Sequence, residues 1–346
     1  SHFFRFLGPL LRKSPGDAAV RTAFGDAAEH IANLSPQSPP WFDEGTGLFR
    51  SSVLGTGDIG TGPASDVNFP VHLRLVSIAL TGYEILGEAA LLEVARAHGQ
   101  VWANAILTEE ALPMAIAPDG PIRQLDRDAA ERWATLELQP AKEENQLDRA
   151  EYLLCHGAIE SFLALHKHTG DNRFRHAVER LLDILSAEVF DADAGELAAL
   201  IRQYAAHTGD RRYNNLVIAA ARAVEWAEIE ILRLQVPKIR RQRPGGVGKR
   251  RDLPGWFEDN HPRRLHPVTL ATAAIFENDP HLAAGALQLA RAYFSLARHA
   301  FASGRDDPGS ALTLSSVARG HDRESNHGMA NAVYEAIHSH FFDQSP

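Results

Sequence analysis

Apolar residues recur every three or four positions along most of the chain, a pattern that is typical of amphipathic α-helices. The clearest run covers 66–100, where Gly87 marks a point at which one helix stops and another begins. No stretch shows the sustained alternation of apolar and polar residues that is typical of strands. The other predicted helices cover 16–34, 152–167, 174–189, 196–206, 213–234, 268–277, 281–302 and 326–341. We therefore predict an all-α protein.

A repeated turn arranges these helices in hairpins. The sequence His-Thr-Gly-Asp at 168–171 recurs 39 residues later at 207–210, and an aromatic residue follows each copy three positions on, as Phe174 and Tyr213. Glycine accepts the left-handed conformation just past a helix end, and aspartate caps the helix that follows. We predict that both motifs are architectural and that the fold is an array of αα-hairpins.

Such an array either remains an open solenoid or closes into a ring. Solenoids join near-uniform repeats by short connections, whereas this chain has three long connections, at 36–65, 112–145 and 236–267. The unequal connections favour a single toroid domain over 1–346. Long loops that carry aromatic residues in a helical protein are typical sites of function.

Composition narrows the possible partners. The net charge of −9 argues against generic nucleic-acid binding, and no apolar window approaches the roughly 18 residues of a membrane span. Cys155 is the only cysteine, which excludes an internal disulfide and an all-cysteine metal site. The 17 histidines are a surplus that points to chemistry.

The chain begins with Ser1 rather than methionine, from which we expect processing or trimming. A removed signal peptide would leave no trace in such a sequence. A bacterial-type cytoplasmic location and a periplasmic or secreted location therefore both stay open, as does the oligomeric state.

Segment 150–160, Ala-Glu-Tyr-Leu-Leu-Cys-His-Gly-Ala-Ile-Glu, continues into the turn at 165–171. Together they resemble one hairpin of the (α/α)6 toroid glycoside hydrolases and polysaccharide lyases. The sequence Ser-Asp-Val-Asn at 65–68, ahead of a helix, is similar to a motif of toroidal arabinofuranosidases. The resemblance covers about 50–340 and implies a toroid of helical hairpins, complete or incomplete, that cleaves glycans. Those arabinofuranosidases use a cysteine-rich zinc site, which one cysteine cannot supply.

The first candidate site lies near the C-terminus, where Asn326 and His327 follow Arg323. Several toroidal lyases are similar in presenting Asn-His near a helix start inside the cleft. Elimination from a uronate needs a group that neutralises its carboxylate, a base and a proton donor. We expect Asn326 to contact the carboxylate, His327 to act as base and Arg323 to bind substrate. The alternative is a helix cap beside an exposed histidine.

The second candidate site comprises Asp66, Asn68 and His72. Asn68 and His72 are four residues apart, so they share a face if the helix starts by Asn68. In that case we expect Asn68 to contact a carboxylate, His72 to act as base and Asp66 to bind substrate. The alternative is that Asp66 or Asn68 only caps the helix, with Pro70 in its first turn.

The third candidate site comprises Tyr152, His156 and Glu160, whose spacing of four places a phenol, an imidazole and a carboxylate along one helix stripe. We expect Tyr152 to be the proton donor, His156 a base and Glu160 a substrate contact. The alternative is a buried histidine satisfied by a neighbouring carboxylate. Cys155 and His156 are also similar to a zinc half-site of lanthionine cyclases, whose other cysteine ligand is missing here. We expect no cofactor, although no spacing excludes a bound metal.

The long connections add candidate contacts for an anionic sugar chain. Nine lysines and arginines lie within 236–267 together with Trp256, and Trp41 lies in 36–65. The alternative for the basic segment is a merely solvated or mobile loop. We therefore expect a carbohydrate-active enzyme that cleaves an oligo- or polysaccharide containing uronate, by β-elimination. One alternative is a glycoside hydrolase that uses a carboxylate pair on the same toroid. The other is a non-catalytic helical-repeat binding module. The candidate carboxylates are Asp43, Glu44, Asp66, Glu160 and Glu324.

Overall fold

The computed structural model describes residues 11, 14, 16–52, 54–61, 65–122, 146–186, 195–222, 267–288 and 290. Regular structure in these residues is mostly α-helix, which confirms the predicted helical class. The chain divides into two compact units, Ser1–Ala187 and Glu188–Pro346. A single toroid domain over 1–346 stays a prediction.

Six helices and two short hairpins form the described part of the first unit. The helices are α1 Ala18–Ile31, α2 Leu73–Leu86, α3 Ala89–Thr108, α4 Gln146–Cys155, α5 Ala158–Thr169 and α6 Asn172–Leu185. The antiparallel strand pairs are β1 Phe42–Asp43 with β2 Leu48–Phe49, and β3 Ala115–Ala117 with β4 Gly120–Ile122. Large apolar side chains close the core between the helices, among them Phe24, Leu73, Trp102, Phe162 and Phe174.

Helices α2 and α3 form the hairpin that the glycine signal predicts. Gly87 ends α2 in the left-handed conformation, with φ of 79°, and its N–H donates to Tyr83 O. The predicted start at residue 66 is wrong, because Pro70–His72 forms a separate 3-10 turn and α2 begins at Leu73. Residue 68 is instead extended and pairs with Ile116 in an isolated bridge.

The repeated turn has the same structure in both copies, which confirms its architectural role. Gly170 and Gly209 adopt the left-handed conformation, with φ of 70° and 74°. Asp171 Oδ1 accepts the N–H of Arg173, and Asp210 Oδ1 accepts the N–H of Arg212. Both aspartates also form ion pairs with those arginines, and the hydrogen bond from Arg173 lowers the pKa of Asp171 to about 2.

The α2–α3 and α5–α6 hairpins stack in the same direction. Side-chain contacts join α2 to α5 first through Ser77 and Ser161, then through Glu84 and His168, so residue numbers rise together along both helices. Helices α3 and α6 run parallel in the same way. Gln100 of α3 donates to Asp171, just before α6, and Arg180 of α6 donates to Glu109 O, just after α3, so residue numbers again rise together. Successive hairpins therefore repeat by stacking, as in a helical-repeat array.

A break separates α4 from α5, where the sequence predicts one helix over 152–167. Helix α4 begins earlier, at Gln146, and ends at Cys155. Gly157 then takes a left-handed conformation, with φ of 81°, and is the N-cap of α5. The continuous helix was wrong because residues 156 and 157 form a turn that no sequence periodicity reveals.

The described part of the second unit is helical. It contains α7 Gly195–Thr208, α8 Asn214–Arg222 and α9 Pro267–Glu277, and residues 280–288 are also helical. Tyr204 and Tyr213 pack edge to face with ring centroids 5.5 Å apart, and both are buried. Asp279 Oδ1 accepts the N–H of His281 and so caps the helix that follows α9.

Candidate functional site

The irregular segments of the first unit meet at the end where α2 and α5 begin, which we call the α2/α5 end. Ser161 Oγ of α5 donates to Leu73 O in the first turn of α2, at 3.1 Å. Ser51, from the loop that carries β1 and β2, accepts a hydrogen bond from His72, just ahead of α2. The β3–β4 hairpin reaches the same place through Ile116, whose N–H donates to Asn68 O.

Asn68 is buried at the α2/α5 end and joins these segments. Its Oδ1 accepts the N–H of Phe49 at 2.9 Å, and its Nδ2 donates to Phe49 O at 2.8 Å. Its own backbone N–H donates to Ile116 O at 2.7 Å. One residue thus completes the hydrogen bonding of β2 with its side chain and that of β3 with its backbone.

His72 and His98 pack around Phe49 in a buried cluster. Their ring centroids lie 5.8 and 4.9 Å from that of Phe49. Trp102 Nε1 donates to His98 Nε2 at 3.1 Å, so His98 Nδ1 carries the proton and donates to Gly47 O at 3.0 Å. Burial and, to a lesser extent, the nearby His72 lower the pKa of His98 to about 3, against the hydrogen bond to Gly47 O, which raises it.

His72 is neutral for the same reason. The N–H of Phe69 donates to His72 Nδ1 at 2.9 Å, which leaves Nε2–H to donate to Ser51 O at 3.3 Å. Burial lowers the pKa of His72, although the backbone carbonyl oxygens of Phe69 and Ser51, which lie 3.0 and 3.3 Å from its ring nitrogens, raise it. Both ring nitrogens of His72 and the whole amide of Asn68 are therefore committed to backbone groups. This arrangement gives both residues a structural task and argues against contact with a substrate.

Tyr152 and His156 form an edge-to-face pair at the end of α4, with ring centroids 4.6 Å apart and planes at 85°. Both side chains are partly exposed. Glu160 is exposed on α5, beyond the break, so the three residues do not share one helix stripe. A methyl group added at Gly157 would lie 3.9 Å from Glu160 Oε2 and 3.8 Å from Ser77 Oγ, which places all these groups at the α2/α5 end.

The loop before α2 contributes Trp41, Asp43 and Asp66. Trp41 is partly exposed, and Asp66 is exposed beside Asn68. The Asp43 carboxylate accepts the N–H groups of Gly45 and Thr46 and pairs with Arg50, so it is engaged in holding its own turn. That engagement disfavours Asp43 as a hydrolytic carboxylate.

Sequence reasoning missed three features of this end. His98 lies within the apolar run of α3, and its partner Gly47 is 51 residues away, so spacing could not connect them. Ser77 and Ser161 form a hydroxyl pair at 2.8 Å between neighbouring helices. Arg74, in the first turn of α2, is partly exposed. The only available signal was the presence of polar residues 74 and 77 inside an apolar helix.

Several candidates lie outside the described residues. These are Trp256 and the basic segment 236–266, together with Arg323, Glu324, Asn326 and His327. Within the described ranges, no group of three or more His, Cys, Asp or Glu side chains could hold a metal ion. None of the described helices combines the length and apolar character needed to cross a bilayer.

Comparisons with protein-family models, curated proteins and solved structures give no significant match to this chain. The resemblance of segment 150–160 to toroid glycoside hydrolases and lyases therefore stays a prediction.

Proposed function

We propose that the chain is a carbohydrate-active enzyme of the (α/α) toroid type that cleaves a uronate-containing glycan by β-elimination. The observation that supports this most is the Tyr152–His156 pair, because its rings are 4.6 Å apart and partly exposed at the α2/α5 end. An imidazole beside a phenol supplies the base and the proton donor that elimination needs.

In this proposal His156 removes the proton from the carbon next to the uronate carboxylate. Tyr152 returns a proton to the oxygen of the departing sugar, while the carbon–oxygen bond breaks and a double bond forms in the ring. The reaction also requires a group that neutralises the uronate carboxylate. Asn326 and Arg323 stay the sequence candidates for this role, and Arg74 joins them because it lies in the first turn of α2.

The test is to incubate the full chain with a panel of uronate polysaccharides. Elimination creates an unsaturated uronate that absorbs in the ultraviolet, and it raises the number of reducing ends by the same amount. New reducing ends without that absorbance would contradict elimination and favour a hydrolase with a carboxylate pair. Tight binding of a glycan without any cleavage would favour the helical-repeat binding module.

Two variants test the assignment of roles. His156→Ala and Tyr152→Phe should each lower kcat by about 10²- to 10⁴-fold, the usual contribution of general acid–base catalysis. Tyr83 and His168 offer a matched control, since they form a similar edge-to-face pair 5.6 Å apart at the opposite end of α2 and α5. Tyr83→Phe and His168→Ala should leave kcat unchanged. Full activity in both Tyr152→Phe and His156→Ala would remove this pair from the mechanism.

A further inference from the structure

We infer that Trp41 and Arg50, which are neighbours on the outer face of the β1–β2 hairpin, bind one anionic sugar unit. The sugar ring stacks on Trp41, and its carboxylate pairs with the Arg50 guanidinium. The identity of the ligand as a uronate rests on the proposed function, whereas the juxtaposition of the two residues comes from the hairpin itself.

The register of the hairpin places the two residues on one face. Phe42 pairs with Phe49, and the N–H of Arg50 donates to Trp41 O at 2.7 Å, so Trp41 and Arg50 are directly opposite each other. Side chains alternate between the two faces of a strand. Phe42 and Phe49 are buried on one face with their rings 5.4 Å apart, and on the other face Trp41 is partly exposed and Arg50 is exposed.

Trp41 is held in place before any ligand arrives. Its ring stacks on His30 with centroids 5.3 Å apart and planes at 25°, and its Nε1 donates to Gly55 O at 3.0 Å. The side chain is still partly exposed. A fixed aromatic ring costs little conformational entropy when a ligand binds, which suits it to stack against a sugar.

Arg50 keeps donors available for a carboxylate. Its side chain is 44% exposed, its Nε donates to Phe42 O at 3.3 Å, and its Nη2 pairs with Asp43 at 3.2 Å. Among the described residues no hydrogen bond uses Nη1, and a guanidinium has five N–H groups in a planar fork. The Asp43 carboxylate orients this fork. It also repels other anions, which favours a singly charged carboxylate over a doubly charged phosphate.

Two asparagines hold the β1–β2 hairpin in position by hydrogen bonds to its outer edges. Asn33 Nδ2 donates to Phe42 O at 2.9 Å, and Asn33 Oδ1 accepts the Phe42 N–H at 3.1 Å. Asn68 makes the equivalent pair of bonds to Phe49 on the other edge. The strand pair that carries Trp41 and Arg50 is thus hydrogen-bonded on both sides, although each strand has only two residues.

Isothermal titration of the full chain tests the inference. The probes are oligosaccharides from the uronate panel, each compared with its methyl-esterified counterpart, which keeps the ring and lacks the charge. Arg50→Gln should weaken binding of the acid on the order of tenfold and leave binding of the ester unchanged. Trp41→Leu should weaken binding of both, and Trp41→Phe should recover part of the loss. Added salt should weaken binding of the acid alone.

Arg96→Gln is the matched control for Arg50→Gln. The Arg96 side chain is 41% exposed and also pairs with a carboxylate, that of Glu93, but it belongs to α3 and not to the hairpin. This variant should bind both probes as the unchanged chain does. An equal loss in Arg96→Gln and Arg50→Gln would show a general charge effect and overturn the inference.

The binding and cleavage readouts separate this inference from the proposed function. If uronates are cleaved while the Trp41 and Arg50 variants bind them normally, the inference is wrong and the proposed function stands. If binding depends on both residues but no unsaturated product forms, the inference stands and the proposed elimination is wrong. If no uronate oligosaccharide binds or is cleaved, both are wrong.

Discussion

At the scale of single residues, the buried histidines have a consequence for stability. His98 is neutral when folded, because burial lowers its pKa to about 3, whereas an unfolded histidine titrates near 6.5. The unfolded chain therefore binds more protons in acid, and stability falls as the pH drops below about 6.5. From pH 6.5 to pH 5, His98 alone should cost about 2 kcal/mol of unfolding free energy. The lowered pKa of His72 acts in the same direction.

Urea unfolding at a series of pH values measures this effect. His98→Gln does not titrate and can still hydrogen-bond, so its stability should depend less steeply on pH than that of the unchanged chain. The quantity to compare is the slope of unfolding free energy against pH in the two proteins. Only the difference between these slopes reports on His98, because the chain has 17 histidines and the others contribute to both. Identical slopes between pH 7 and pH 5 would show that His98 is not a buried neutral group.

Asn68 should matter more for stability than its short polar side chain suggests. Asn68→Ala leaves the N–H and C=O of buried Phe49 without partners, which should lower the free energy of unfolding by roughly 2 to 5 kcal/mol. Asn33→Ala makes the same change at Phe42 in a partly buried setting, so its loss should be nearer about 1 kcal/mol. Amide exchange at Phe49 and Ile116 should speed up only in Asn68→Ala. Equal losses of unfolding free energy in the two variants would contradict the inference that Asn68 contributes more to stability than Asn33.

At the scale of helices, one glycine sets how closely α3 approaches the next hairpin. A Cβ added at Gly99 would lie 2.3 Å from Leu165 Cδ1 and 3.2 Å from Phe174 Cε1. Gly99→Ala should therefore destabilise the chain by about 1 to 3 kcal/mol, despite the better helix propensity of alanine. Gly25, within α1, has no atom within 4 Å of an added Cβ. Gly25→Ala should stabilise by up to about 1 kcal/mol, and thermal unfolding of both variants distinguishes the two cases.

The helices were predictable because each carries its own local signals. Apolar spacing predicted α2 and α3, and glycine followed by aspartate predicted where α5 and α7 end. The strands were not predictable, since two or three residues are too few to show alternation. The β1–β2 pair is held instead by hydrogen bonds from the side chains of Asn33 and Asn68, which form only when separate segments of the chain meet.

In the candidate site too, contacts between residues close in sequence were predictable and contacts between distant residues were not. The spacing of Tyr152 and His156 correctly predicted that their side chains lie together, because one helical turn joins them. Glu160 did not continue the stripe, because the left-handed Gly157 interrupts the helix. Asn68 and His72 looked catalytic by residue type. Their partners, Phe49 and Ser51, lie about 20 residues away, and these hydrogen bonds favour a structural role for both residues.

At the scale of the whole molecule, the two compact units allow a test of the single-toroid prediction. The partners that hold Asn68, His98 and Gly99 all lie within the first unit, Ser1–Ala187. We therefore expect a fragment of residues 1–187 to fold alone, with a helical circular dichroism spectrum and one cooperative unfolding transition. Gly99→Ala should lower the melting temperature of the fragment as it does that of the full chain. That result is compatible with an incomplete toroid, whereas a closed ring predicts the opposite, because deleting 188–346 would expose the apolar edges of its hairpins. A fragment that unfolds without cooperativity would favour that ring.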